Sequence, residues 1–167
     1  MIELVPMGEV EFQAYLVNAI RDYAEDKVKS GNWDRAEARQ KSAAEYRELL
    51  PDGLASKNQY LFSIVTPNVE TTIGMIWFAV DDARPQSAAF IYDFVIFEGF
   101  RRRGYGTQTL LAVEEKVRAL GLDTISLHVF GHNRGARALY EKMGYEITNI
   151  NMSKKLNILG LDDEICR

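Results

Sequence analysis

Cysteine is almost missing from this 167-residue chain; its one copy is Cys166, beside the C-terminus. One thiol cannot build a disulfide framework, and no Cys/His spacing of the kind that grips a metal is present. A reducing cytoplasmic setting fits best, and no metal is expected. Long apolar runs are missing as well. None approaches membrane-spanning length, and the N-terminus lacks the basic region and apolar core of a signal peptide, so no membrane partner is expected. Basic residues are not in excess. Lys and Arg number 20 against 24 Asp and Glu, a formal net charge of −4, which disfavours nucleic acid as a partner. There is no Gly-x-Ser-x-Gly elbow and no Cys–His pair in a reactive context, so covalent catalysis through an activated serine or cysteine is not expected.

What remains is enough for one folded globule. Hydrophobic residues make up 47% of the chain, and residues 1–167 read as a single domain. Ile2 to Val5 predicts a short strand. Glu9 to Lys29 is amphipathic, with Phe12, Leu16, Ile20 and Tyr23 on one stripe, and Ser30-Gly31-Asn32 breaks it. Trp33 to Leu50 predicts a second helix, stopped by Pro51-Asp52-Gly53. Tyr60 to Thr66 and Thr72 to Val80 form a hairpin pattern around Pro67-Asn68, and Asp81 to Ser87 is a polar loop. Ala88 to Phe97 predicts a central strand, Thr107 to Leu120 a helix, Thr124 to Phe130 a strand, Asn133 onward a helix, and Tyr145 onward a last strand. The order β-α-α-β-β-β-α-β-α-β implies an α/β fold, a mixed sheet with helices on both faces.

The stretch Arg101-Arg102-Arg103-Gly104-Tyr105-Gly106 lies between the central strand and the helix after it. A glycine loop opening a helix aims backbone N–H groups at one point, where the helix terminus adds partial positive charge. Three arginines make the mouth cationic in an acidic chain. The chemistry asks for a phosphate or pyrophosphate, although arginine and glycine also populate ordinary surface turns. A Walker loop would need Lys-Ser/Thr where Thr107-Gln108 stands. A dinucleotide fingerprint would need glycine where Thr109 stands, and an acid where the next strand ends in Val129-Phe130-Gly131-His132.

A second segment, Asn133-Arg-Gly-Ala-Arg-Ala-Leu-Tyr140-Glu-Lys-Met-Gly144-Tyr145, carries apolar residues at helical spacing between an N-cap asparagine and a C-terminal glycine. Together, Arg101-x-x-Gly104-x-Gly106 and this Asn…Leu-Tyr-Glu-Lys-x-Gly-aromatic segment resemble the two motifs of the GNAT superfamily of acyl-CoA-dependent N-acyltransferases. The resemblance covers Phe90 to Leu156 well, with a cofactor-binding core at about residues 88–145, and the first half only by its order of elements.

The resemblance implies the GNAT fold and transfer of an acetyl group from acetyl-CoA to a primary amine, small molecule or peptide, attacking directly. A non-catalytic acyl-CoA sensor is the alternative, against which Tyr140 speaks. The pyrophosphate falls to Arg101, Arg102, Arg103, Gly104, Tyr105, Gly106 and Thr107. Val95 and Ile96 offer strand backbone to the pantetheine arm, and the Ile96 amide can polarise the thioester carbonyl. Asn133 aligns with an arm-binding asparagine, unless it only caps its helix. Tyr140 aligns with a general acid, unless it is a packed helix aromatic. The base is open between His128, with a pKa in the useful range, Asp93, a carboxylate interrupting an apolar strand, and a water chain. Glu98 and His132 read as solvated loop residues. Tyr15, Tyr23, Gly31, Asn32, Trp33 and Trp77 fall where the family builds its acceptor wall, with core packing the simpler role for Tyr15 and Tyr23.

The end of the chain departs from the family pattern. Tyr145 to Leu156 reads as one continuous strand in place of a hairpin, leaving an edge for the tail, 157–167, or for a second copy in a homodimer.

Overall fold

The computed structural model describes residues 1–67, 71–81 and 88–156. The hairpin tip at Asn68, most of the loop between Asp81 and Ser87, the tail and Cys166 fall outside the described residues. Five strands and four α-helices follow in the order β1 (Glu3–Pro6), α1 (Glu9–Lys29), α2 (Arg35–Leu49), β2 (Gln59–Thr66), β3 (Thr71–Asp81), β4 (Ala88–Ile96), α3 (Tyr105–Ala119), β5 (Ile125–Leu127) and α4 (Arg134–Lys142). The sheet runs β1-β2-β3-β4-β5. Its first four strands are antiparallel, and β5 joins β4 in parallel, with α3 as the crossover that a parallel pair requires.

Two apolar layers hold the helices on opposite faces of the sheet. On one face Phe62, Ile64, Ile76 and Phe78 pack with Leu110, Val113 and Val117 of α3, and Leu139, Tyr140 and Met143 of α4 join them. On the other, Leu61, Met75 and Trp77 meet Phe12 and Ala19 of α1 and Tyr46 of α2. The alternation along β2 and β3 feeds both layers, as period-two side chains must. Asp34 caps α2 by accepting from the Ala36 amide at 2.8 Å. The helix pair α1–α2 is tied by Ser42, whose buried hydroxyl donates to the Ile20 carbonyl at 2.8 Å.

One irregularity positions the site. Trp77 pairs with Asp93 and Phe78 with Ile91, so β4 carries an extra residue, Tyr92, in a β-bulge. Ahead of the bulge, Ala89 and Ile91 face the α3 layer; beyond it, Phe94 and Ile96 do, and Val95 turns to the α1–α2 layer. Without that shift Asp93 would follow Ile91 into the apolar α3 layer. The β4–β5 ladder also stops there, at Ile91–Leu127.

That early stop corrects two expectations. The strand expected over 124–130 is only Ile125–Leu127, because β4 bends away from it past the bulge. The last strand expected from Tyr145 does not form: residues 145–156 are in neither helix nor strand. A three-residue β5 offers almost no ladder for it to join. The edge strand on this side of the sheet, among the described residues, is therefore β5 itself.

Candidate active site

Beyond Ile91 and Leu127, β4 and β5 diverge, and a cavity of about 880 Å3 opens between them and the α1–α2 layer. Asp93, Val95, His128, Asn133 and Tyr140 all line it. Residues far apart in sequence, with Tyr15 and Tyr23 from α1, thus meet in one chamber.

Asp93 is the most perturbed acid there. Its Oδ2 accepts a hydrogen bond from the Tyr15 phenol at 2.9 Å. Loss of hydration raises its pKa to about 6, against the lowering pull of that bond and of the Phe94 amide; the negative charges of Asp22 and Asp26 push the same way as burial. Part of its surface still reaches the cavity, so the carboxyl can exchange protons with a bound molecule. Tyr15 itself is pushed well above the ordinary phenol range by burial and by Asp93, so it stays a donor. Tyr15 is therefore not only packing; it holds the carboxylate.

Tyr140 projects from α4 into the cavity. Burial, then Tyr145 and Asp93, raise its pKa, so the phenol keeps its proton at neutral pH. Its ring lies 5.6 Å from that of Tyr145. His128 sits one residue past β5 with its side chain exposed and its ring edge-on to Phe130 at 4.9 Å. Desolvation and then Lys27 lower its pKa, which keeps it neutral. His128 and Asp93 both line the cavity, but among the described residues only Asp93 is held by a hydrogen bond that fixes its direction.

Asn133 caps α4 by accepting from the Ala136 amide at 3.2 Å. Its neighbour His132 is not a solvated loop residue. Its Nε2 lies 2.6 Å from Asp26 Oδ1, and its ring stacks on Phe130 at 5.4 Å. This contact ties the β5–α4 loop to α1 across the mouth of the cavity. No local pattern could announce it, since the partners are 106 positions apart. Of the expected acceptor wall, Tyr15, Tyr23 and Trp77 line the cavity, whereas Gly31 and Asn32 line a neighbouring groove beside β5. Trp33 packs edge-on to Tyr23 at 5.5 Å.

The glycine loop stands at the far end of β4. Arg101 folds back, its Nε donating to the Ile96 carbonyl at 2.8 Å, and Arg103 lies over the Phe100 ring at 5.8 Å. Arg102 takes a positive φ of 61° and Gly104 one of 79°, turning the chain into the first turn of α3. The first amides of that helix, Tyr105 to Thr107, have no intrahelical acceptor by geometry. An added Cβ at Gly104 would meet nothing within 4 Å, so the space before the loop is open. At Gly106 an added Cβ would lie 2.9 Å from Leu139 Cδ2, so this glycine serves the packing of α3 on α4. The amides of Tyr105 to Thr107 beside three arginines suit a diphosphate in chemistry, and the edge of β4 past Ile91 suits an extended polar arm.

Comparison with known proteins assigns the family and the fold. The profile of the acetyltransferase (GNAT) family matches residues 16–145. Two proteins of Bacillus subtilis strain 168, the uncharacterized N-acetyltransferases YycN and YdgE, are 41% identical over 155 residues and 39% identical over 153. The alignments cover 93% and 92% of this chain and 99% and 97% of those proteins. The crystal structure of YycN matches with a TM-score of 0.89 at 40% identity, over 94% of this chain and 99% of that one. The chain belongs to the acetyltransferase (GNAT) family. It has the fold of that family and is an N-acetyltransferase. Among the described residues no helix is long and apolar enough to cross a membrane, and no group of acids, cysteines and histidines is placed to hold a metal.

The perturbed acid makes a stability prediction. With its folded pKa near 6 against 3.8 for the free carboxyl, Asp93 binds its proton more tightly in the folded chain. Its contribution is therefore favourable at low pH and is lost as pH rises through that window. Urea unfolding should show Asp93→Asn gaining on the wild type between about pH 4 and about pH 7. A constant difference across that range would mean that the carboxyl is fully hydrated.

Proposed function

We propose that this protein transfers the acetyl group of acetyl-CoA to a primary amine by direct attack, with Asp93 as base and Tyr140 as acid. The observation that supports it most is the meeting of these two side chains, in opposite protonation states at neutral pH, in one cavity at the open edge of β4.

Acetyl-CoA supplies the acetyl group as a thioester. Backbone amides of residues 102–107, with the side chains of Arg101, Arg102 and Arg103 nearby, hold the diphosphate, the Arg101 amide being taken by the Glu98 carbonyl. The backbone of Ile96, on the edge of β4 that faces away from β3, pairs with the pantetheine arm as an added strand would, and its amide polarises the carbonyl; Val95 spends its backbone groups on β3 and offers its side chain to the cavity. Asn133 caps α4 and turns its remaining polar group to the arm. Asp93 receives the ammonium of the acceptor and takes one proton from it, which frees the lone pair that attacks the carbonyl; the second proton leaves the nitrogen as the amide forms and passes to the Tyr140 oxygen, replacing the one that goes to sulfur. Tyr140 gives its phenolic proton to the sulfur as the C–S bond breaks. A phenol is a weak acid for that task, so its contribution is a hydrogen bond strengthened in the transition state.

Calorimetry should detect acetyl-CoA binding, and saturating ligand should raise the melting temperature. Gly104→Val should abolish both effects in a folded protein, because it fills the open space before the loop at a positive φ. Absence of binding to the wild type would remove the basis of the proposal.

In turnover, Tyr140→Phe should lower kcat by about 10–10³-fold with little change in acetyl-CoA affinity. An unchanged kcat would return this side chain to packing alone.

The pH profile separates the candidate bases. A carboxylate base must be deprotonated, so kcat/KM should rise with pH through an apparent pKa near 6. Asp93→Asn should remove that limb and His128→Gln should leave it. The reverse pattern would make His128 the base, and survival of the limb in both variants would point to a water chain.

A further inference from the structure

Five carboxylates line the cavity, and three of them are already satisfied. Asp22 is paired with Arg21 at 2.8 Å, and Asp26 with His132 at 2.6 Å. Glu11 accepts from the Gly8 amide at 3.1 Å and from the Ser63 and Thr72 hydroxyls at 3.1 and 3.3 Å. The remaining two, Asp93 on β4 and Glu45 on α2, are half-buried and have no cationic partner among the described residues. Asp93 is held instead by a neutral phenol, Tyr15, and Glu45 stands beside the phenol of Tyr23, whose pKa is raised by burial and then by Glu45. The cavity's own cations are engaged elsewhere. Arg21 is taken by Asp22, and Lys27 Nζ lies over the rings of Tyr23 and Trp33 at 5.1 and 5.0 Å.

Between the two carboxylates runs a wall of phenols. Tyr15 meets Tyr46 edge-on at 6.5 Å, and Tyr46 meets Tyr23 edge-on at 6.2 Å. A half-buried carboxylate without a cation is costly, and a ligand that brings a cation offsets that cost. Aromatic walls suit both methylene groups and ammonium heads. Two such carboxylates at the two ends of an aromatic wall match a molecule with a cation at each end.

We propose that the acceptor is an aliphatic diamine or longer polyamine. Its reacting nitrogen lies at Asp93, its chain runs along Tyr15, Tyr46 and Tyr23, and its far ammonium sits on Glu45. This rests on the acetyltransferase reading above and adds the substrate class to it. One acetyl group is transferred per binding event: the near nitrogen sheds two protons and forms the N–C bond, the C–S bond breaks and CoA leaves as the thiol, and the far ammonium keeps its protons. Glu45 is then a specificity-determining residue that takes no part in the bond changes.

The test compares cadaverine with pentylamine, which share a carbon chain and differ by one ammonium. Thiol release from acetyl-CoA is followed with the full-length protein, after calorimetry has established acetyl-CoA binding. The diamine should be preferred by about 10–100-fold in kcat/KM, the worth of one charged hydrogen bond. Glu45→Gln should bring the ratio of the two amines towards one, and Glu48→Gln, exposed one turn further on, should leave the ratio high. Equal use of both amines by the wild type, or a preference that survives Glu45→Gln, would overturn the proposal while leaving the acetyltransferase reading intact. So would turnover confined to lysine-containing or N-terminal peptide amines. Failure to bind acetyl-CoA at all would overturn both.

Discussion

Between the pairs Phe78–Ile91 and Trp77–Asp93, β4 carries one residue more than β3. A bulge shifts side-chain phase and adds twist. Both effects are used here. The phase shift moves Asp93 out of the apolar layer beneath α3 and onto the face where Tyr15 can reach it. The bend ends the β4–β5 ladder at Ile91–Leu127 and leaves the rest of β4 as an open edge beside a cavity. Tyr92, the extra residue, stacks on Trp77 at 4.7 Å, so the distortion is anchored to the most deeply buried aromatic of the α1–α2 layer. Placement of the acid and of the chamber it lines thus have one origin.

The chamber is polar in a structured way. In a partly desolvated space hydrogen bonds and charges act more strongly than in water, and unsatisfied ones are more costly. Most of its polar groups are accordingly spent on one another across elements: Tyr15 on Asp93, His132 on Asp26, Glu11 on the hydroxyls of β2 and β3. These bonds join α1 to the sheet and to the β5–α4 loop. Helix α1, whose tyrosines line the cavity, is therefore fixed relative to the helix that supplies Tyr140. Against that background Asp93 and Glu45 stand apart as half-buried carboxylates with no cationic partner among the described residues.

Much of the fold was legible in the sequence. The helix expected over Glu9–Lys29 has those bounds, because a long stripe of apolar residues and a Ser-Gly-Asn stop agree. The loop and the α4 motif were legible because glycine and asparagine there answer backbone needs: Gly104 sits at positive φ and Asn133 caps α4. The residues 124–130 and 145–156 misled for one reason. Strand composition is a preference that only a partner ladder can realise, and the partner edge is set by a bulge in another strand. The roles of Tyr15 and His132 were hidden differently. Their partners lie 78 and 106 positions away, so local spacing allowed packing for one and solvent for the other.

Gly106 occupies the first turn of α3, within the loop segment, and a side chain there would run into Leu139, the residue before Tyr140. The two positions share a single pool of space. A methyl group gained at one must be surrendered at the other if both helices are to keep their places on the sheet. Substitutions at 106 and 139 are thus conditional on each other, and a lineage could exchange bulk between them only by changing both. Through that shared volume, the spacing between the glycine loop and the phenol on α4 is set by packing density, with no polar contact required.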